Sequence, residues 1–222
     1  EIAESVVLIW YQEADRDFAS YGTGFAIDTL GHILTCDHVI ANRKSVTVAF
    51  PVNGRERNLP AEIVARNPAI DTALLKIDYT GMKPVSLGSS MRLRMGNFLA
   101  FAGYPLGYTV EAELSPSLTT GYVSALRWWR VMPQGPRLRM LQIDCTVAIG
   151  TSGSPVFDPG TGAVVGMMKS HIRTAGMVLN DEDVLGAIQQ LPQELAVSAG
   201  IGLAIPIDPI EGFLRASGVE LP

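Results

Sequence analysis

Short apolar runs recur along the chain, separated by Gly, Pro, Asn and Asp. Runs of this kind are typical of strands, whereas alternating βαβ units need longer helical patterns between them. The pattern therefore predicts an all-β barrel or sandwich. The predicted strands are Ser5–Tyr11, Tyr21–Asp28, His32–Thr35, Ser45–Phe50, Ala61–Asn67, Ala73–Ile77, Phe98–Gly103, Thr119–Ala125, Leu138–Thr146, Pro155–Phe157, Val164–Ser170 and Gly202–Ile205.

Two segments follow a helical period instead. Asp208–Ala216 places its apolar side chains on one face and is followed by Gly218, a typical helix stop. Asn180 precedes three acidic residues, which the positive end of a helix dipole favours. This predicts a second helix over 180–190, inserted between two strands.

The composition narrows the classes of function. Of 222 residues, 47% are hydrophobic, which is ample for a globular core. A net charge of −5 without a long Lys/Arg run argues against a nucleic-acid partner. No apolar stretch approaches the roughly 18 residues that span a bilayer, so we expect no membrane span. We also expect no metal or cofactor. We interpret Cys36 and Cys145 as buried thiols, with a bridge between them as the alternative.

The segment Gly150–Pro155 carries the strongest local signal, Gly-Thr-Ser-Gly-Ser-Pro. A serine hydroxyl is a weak nucleophile that needs a base and donors for the oxyanion that forms on the attacked carbonyl. Glycine at position 150 lets the N–H groups of Gly150 and Ser152 face that oxyanion, and Gly153 leaves room for substrate. The alternative is an ordinary Gly/Ser turn between strands.

Further motifs precede and follow this segment. They are Gly22–Asp28, Gly31–Ile40, Pro68–Ile77, Leu87–Asn97, Ala100–Gly107, Thr119–Ala125, Leu141–Asp144 and Gly200–Pro206. Together with Gly150–Pro155, they resemble HtrA (Deg)-type serine proteases of the chymotrypsin fold over nearly the whole chain. The resemblance implies that Ser152 is the nucleophile, His38 its base and Asp71 the acid that orients the histidine, in the chain order of chymotrypsin.

Other histidines and acids compete for these roles. His32 is interpreted as a solvated turn side chain. Asp37 adjoins His38 in sequence, so its side chain is expected to point elsewhere, and Asp144 is interpreted as structural.

The resemblance also implies the fold class, two six-stranded antiparallel β-barrels with the catalytic residues in the cleft between them. We expect the first barrel at about 1–85, the second at about 95–207 and a C-terminal helix at about 208–217. We expect this chain to lack the peptide-binding PDZ module usual in this family, so the resemblance does not carry over activation or substrate capture through such a module.

The residues expected around the side chain before the scissile bond are mostly apolar. The predicted pocket residues are Val147, Ile149, Met168, Lys169, Ser170 and His171. The stretch Thr146–Ile149, which precedes the Ser152 motif, contains no acid to pair with a basic side chain of the substrate. This predicts cleavage after small or medium aliphatic residues. The alternative is that Lys169 and His171 recruit an acidic side chain, as histidine does in glutamyl endopeptidases.

Three features suggest partners besides a polypeptide substrate. The insertion Arg173–Ser198 is longer than the family's loop, and is interpreted as a solvated helix or as a lid or docking site for a regulatory protein. Trp128–Trp129, flanked by arginines, is either core or an interface anchor. Trp10 and Tyr11 suit a homo-oligomer of the family's kind and equally suit the first strand.

The sequence thus predicts a serine endopeptidase that acts through an acyl-enzyme. One alternative is a latent or non-catalytic relative that binds extended peptides by strand addition and needs an effector or partner. Another is a serine esterase on the same fold. The sequence leaves the bacterial cytoplasm and periplasm equally open as the compartment.

Overall fold

Twelve strands form two closed antiparallel barrels of six strands each, which confirms the predicted fold class. The computed structural model describes residues 2–12, 19–40, 43–105, 107, 114–171 and 200–219, and the side chains at 19, 20, 170 and 171 are outside the description. The insertion at 173–198, with the helix predicted over 180–190, lies outside the described residues.

The first barrel has the strand order β1-β2-β3-β6-β5-β4. Its strands are β1 (Val6–Gln12), β2 (Ala19–Ala26), β3 (His32–Thr35), β4 (Ser45–Val52), β5 (Arg55–Asn67) and β6 (Thr72–Ile77). Single turns of 3-10 helix lie at Ile2–Ser5 and Pro68–Ile70, and a short helix α1 (Asp37–Ile40) follows β3.

The second barrel has the order β10-β11-β12-β9-β8-β7. Its strands are β7 (Phe98–Gly103), β8 (Ser117–Arg130), β9 (Arg137–Ile143), β10 (Pro155–Phe157), β11 (Val164–His171) and β12 (Gly202–Pro206). Helix α2 (Ile207–Ala216) follows β12 and buries Ile207, Ile210 and Leu214. Of its predicted apolar face, Ile210 and Leu214 are buried and Phe213 is half-buried against the core. None of the described helices is long and apolar enough to span a bilayer.

Two strands extend five or more residues beyond the ranges that their apolar patterns predict. β5 begins at Arg55, in an exposed polar run that pairs with β4 across a turn with positive φ at Asn53 and Gly54. β8 continues to Arg130, which pairs with Arg137. In both hairpins the ladder of backbone hydrogen bonds continues beyond the buried core, because pairing does not require that a strand bury a face.

The connection between the barrels is hydrogen-bonded to both of them. Val85 donates its N–H to the Ala26 carbonyl in the first barrel (2.9 Å). Val164 in the second barrel donates to the Ser86 carbonyl and accepts from the Gly88 N–H, each over 2.8 Å. The two barrels are therefore held in a defined relative position, which any site in the cleft between them requires.

Candidate active site

The imidazole of His38 is held by the carboxylate of Asp71. His38 lies in α1, directly after β3, and Asp71 follows the 3-10 turn Pro68–Ile70 with a left-handed φ of 52°. His38 Nδ1 lies 2.8 Å from Asp71 Oδ2, and the His38 backbone N–H donates to Asp71 Oδ1 over 2.9 Å. Asp71 is buried and His38 is exposed, with 46% of its side chain accessible. This arrangement fixes the ring orientation through Nδ1, so that Nε2 is the ring nitrogen left for proton transfer.

Asp71 remains ionised at neutral pH. Burial raises its pKa, but the hydrogen bonds and charge of His38, together with the charge of Lys169, outweigh burial and bring the pKa below its ordinary value. A carboxylate in this position can stabilise the imidazolium that forms when His38 takes a proton.

Ser152 lies in a turn that depends on two glycines. Gly150 and Gly153 have φ of 96° and 90°, in the region that favours glycine. The backbone N–H of Thr151 donates to the Ala148 carbonyl, and the backbone N–H of Ser154 donates to the Thr151 carbonyl. Within the described chain, the N–H groups of Gly150 and Ser152 donate to no backbone or side-chain acceptor, which an oxyanion site requires.

The hydroxyl of Ser152 points to Lys169. Its Oγ donates to the Lys169 carbonyl over 2.8 Å, and among the described residues no hydrogen bond joins it to His38. The Lys169 ammonium lies 3.6 Å from Asp71 Oδ2. Asp71 therefore contacts His38 directly, and Ser152 is linked to this pair through Lys169.

Thr23 in β2 joins the serine turn to the first barrel, a role that sequence reasoning missed. Its N–H donates to the Ser152 carbonyl (2.8 Å) and its hydroxyl to the Gly150 carbonyl (2.7 Å). The Thr23 carbonyl accepts from the hydroxyl of Thr35 (2.7 Å), and a side chain at Gly153 would meet that carbonyl at 1.9 Å. Gly153 thus allows the two barrels to approach closely.

The competing acids have other partners. Asp37 forms two hydrogen bonds with the Arg66 guanidinium, at 2.6 and 3.0 Å, which confirms that its side chain points away from His38. Asp144 accepts from the backbone N–H of Tyr122, which confirms the structural interpretation. The solvated interpretation of His32, the first residue of β3, is wrong. Its side chain is only 21% exposed, and its Nδ1 lies 2.5 Å from Asp28 Oδ2.

The predicted pocket residues lie along β11 and before the serine turn. Val147 and Met168 are buried in the core of the second barrel beside Cys145, and Ile149 is half-buried. Ser170 and His171 belong to β11, but their side chains are outside the description. Beside His38, a cavity of about 340 Å³ is lined by Asp37, His38, Pro68, Asp71, Val131, Met132 and Lys169. The tip of the β8–β9 hairpin therefore reaches the first barrel, which the sequence did not indicate.

Cys36 and Cys145 are buried thiols and no disulfide joins them, as predicted. The ligand atoms of Cys36, His38 and Asp71 lie within 4.8 Å of one another. Burial, followed by the charge of Asp71, raises the pKa of the Cys36 thiol well above its usual value, so a thiolate ligand is disfavoured. The Lys169 ammonium next to Asp71 would also repel a metal cation.

The aromatic candidates differ in exposure. Trp128 and Trp129 are 61% and 52% exposed on β8, so the core interpretation of this pair is wrong. Trp10 and Tyr11 lie in β1 and pack partly against the core of the first barrel.

Comparisons with known proteins agree with this architecture. Residues 22–167 match the family described as "Trypsin-like peptidase domain". The chain is 33% identical over 213 residues, 93% of its length, to a "Probable periplasmic serine endoprotease DegP-like" of Pseudomonas fulva. It is 30% identical over 210 residues, 91% of its length, to a protein of the same description from Halomonas elongata. The chain spans 42% of the length of each of these two relatives.

Solved structures share the fold at lower identity. The structure "HtrA-type protease AlgW with tripeptide" superposes with a TM-score of 0.72 at 24% identity. The match covers 98% of this chain and 61% of that one. The match therefore extends across both barrels.

Proposed function

Because the chain belongs to the trypsin-like peptidase family, we propose that it is a serine endopeptidase in which Ser152, His38 and Asp71 form the catalytic triad. The observation that carries the proposal is the 2.8 Å contact between His38 Nδ1 and Asp71 Oδ2, in the same cleft as the glycine-flanked Ser152. The DegP-like names of its relatives support a polypeptide as substrate.

The proposed reaction proceeds through an acyl-enzyme. Ser152 Oγ attacks the carbonyl carbon of the scissile bond while His38 Nε2 accepts the hydroxyl proton. The N–H groups of Gly150 and Ser152 stabilise the oxyanion of the tetrahedral intermediate. His38 then gives its proton to the leaving amine as the C–N bond breaks. A water molecule, deprotonated by His38, hydrolyses the resulting Ser152 ester and regenerates the enzyme.

The reaction requires that Ser152 turn toward His38. Its hydroxyl donates to the Lys169 carbonyl, so attack must be preceded by rotation of the Ser152 side chain. This observation favours a second candidate function, a latent protease or peptide-binding relative whose site is completed by an effector or partner. The insertion Arg173–Ser198 and the exposed Trp128–Trp129 pair are the proposed contact sites for such a protein.

Labelling with a fluorophosphonate probe tests the proposal and separates it from the latent form. We expect the intact protein to be labelled, and both Ser152→Ala and His38→Ala to abolish labelling. If Ser152→Ala is labelled as strongly as the intact protein, the assignment of Ser152 as the nucleophile is contradicted. An intact protein that is labelled only when a peptide effector is added would identify the latent form.

For substrate preference, we propose cleavage after small or medium aliphatic residues. The support is the apolar character of the half-buried Ile149 and the orientation of the Lys169 ammonium, which contacts Asp71 and not an incoming acidic side chain. A panel of fluorogenic peptides that differ only in the residue before the scissile bond tests this preference. Cleavage restricted to peptides with Glu at that position would favour the acid-binding alternative.

A further inference from the structure

Lys169 occupies an irregular position in its strand. In the pairing of β11 with β12, Met168 lies opposite Ala204 and Ser170 lies opposite Leu203. Ala204 and Leu203 are consecutive residues of β12, whereas Lys169 separates Met168 from Ser170 in β11. Lys169 is therefore the extra residue of a β-bulge. Bulges of this kind redirect a side chain and occur frequently next to active sites.

The bulge brings Lys169 into contact with both ends of the proposed triad. Its ammonium lies 3.6 Å from Asp71 Oδ2, the same oxygen that lies 2.8 Å from His38 Nδ1. Its carbonyl accepts the hydrogen bond of the Ser152 hydroxyl. The side chain is only 25% exposed, so water screens its charge less than at an open surface. Lys169 also lines the cavity beside His38.

We propose that Lys169 is a positioning residue whose ammonium shares the Asp71 carboxylate with His38 and so sets the pH at which the imidazole gains a proton. This inference rests on the proposed peptidase function. A cation beside Asp71 offsets part of the negative charge that would stabilise the imidazolium. Lys169 should therefore keep His38 in its basic form to lower pH than a neutral residue at this position would.

The other charged groups around the imidazole do not duplicate this effect. Asp37, the neighbour of His38 in α1, pairs with the Arg66 guanidinium of β5, so their charges largely cancel near the ring. Cys36, which follows β3, is a buried thiol that donates to the Met168 carbonyl over 3.3 Å. Among these described groups, Lys169 is the cation in direct contact with Asp71.

The test compares Lys169→Met, which keeps much of the stem and removes the charge, with Lys169→Arg, which keeps the charge. The measured quantity is kcat/KM for one peptide as a function of pH. We expect the acidic limb of the Lys169→Met profile to move to higher pH by about 0.5 to 1 unit, and the Lys169→Arg limb to stay with the wild type. A role confined to packing would change the rate without moving this limb.

A second readout does not depend on catalysis. NMR titration of the His38 ring, assigned by comparison with His38→Ala, should show the same upward displacement of the midpoint in Lys169→Met. Lys169→Gln, which keeps a polar side chain, serves the same purpose if Lys169→Met does not fold. Coincident midpoints in the wild type and the neutral variants would overturn the proposal for Lys169. A displaced His38 midpoint in a protein whose Ser152 is not labelled by the fluorophosphonate probe would support the positioning role of Lys169. The same result would contradict the proposed peptidase function.

Discussion

The backbone N–H of Thr23 donates to the carbonyl oxygen of Ser152 over 2.8 Å and joins residues 129 positions apart in sequence. Thr23 belongs to the first barrel and Ser152 to the second. The turn of Ser152, the proposed nucleophile, is thus held by the barrel that also carries His38 and Asp71. Because Thr23 is fully buried, water cannot replace the hydrogen bonds that it makes.

The first prediction concerns the Thr23 hydroxyl, which donates to the Gly150 carbonyl and accepts from the Tyr104 N–H (3.0 Å). Thr23→Val should lower the free energy of unfolding by about 2 to 4 kcal/mol, because it leaves two buried polar groups unpaired. Thr23→Ser keeps the hydroxyl and should cost about 1 kcal/mol, for the lost methyl group. Urea denaturation measures both changes. Equal stability of the two variants would show that these hydrogen bonds are unimportant.

The second prediction concerns Asp71. Asp71→Asn should lower kcat for a peptide substrate about 10⁴-fold, because an amide cannot both fix the Nδ1–H tautomer of His38 and stabilise the imidazolium. Asp144→Asn is the matched control, since Asp144 binds the Tyr122 backbone and should leave kcat near the wild-type value. Kinetics at saturating substrate separate the two variants. A small effect of Asp71→Asn would remove Asp71 from the proposed triad.

The third prediction concerns the ion pair between Arg66 and Asp37. Arg66→Met should destabilise the fold by about 1 to 3 kcal/mol, because it leaves the buried Asp37 carboxylate without its partner, and the partial exposure of Arg66 reduces the cost. Adding Asp37→Asn should recover much of this loss. A double-mutant cycle by denaturation measures the coupling, and strictly additive effects would contradict a specific pair.

The fourth prediction concerns Asp208 in the first turn of α2. Burial raises the pKa of this carboxyl, but hydrogen bonds from Ser90 and Ser89 outweigh burial and lower it below its ordinary value. A lowered pKa means that Asp208 contributes stability above its unfolded pKa near 3.9 and loses that contribution as pH falls through the folded value.

Asp208→Asn should therefore cost about 1 kcal/mol near neutral pH, a value reduced for the partial exposure of the group. The difference between Asp208→Asn and the wild type should shrink as pH falls below 4. Denaturation of both proteins across this pH range tests the sign. A difference that stays constant with pH would mean that ionisation of Asp208 does not stabilise the fold.

The positions of many strands along the chain could be read from local patterns. β3, β7 and β10 have the predicted bounds, because each is a short buried run between turn residues. Helix α2 differs from its prediction by one residue at its start. The polar half of β5 and the end of β8 were missed, because their exposed residues carry no alternating apolar signal.

The sequence by itself determined the twelve-strand pattern and the motifs around His38, Asp71 and Ser152, because turn residues and buried apolar runs are local signals. Only the tertiary structure decided how these motifs meet. Thr23 against Ser152 and Lys169 against Asp71 are contacts between different barrels, and no local pattern encodes them. The direction of Lys169 depends on a one-residue bulge in β11, which arises from pairing with β12.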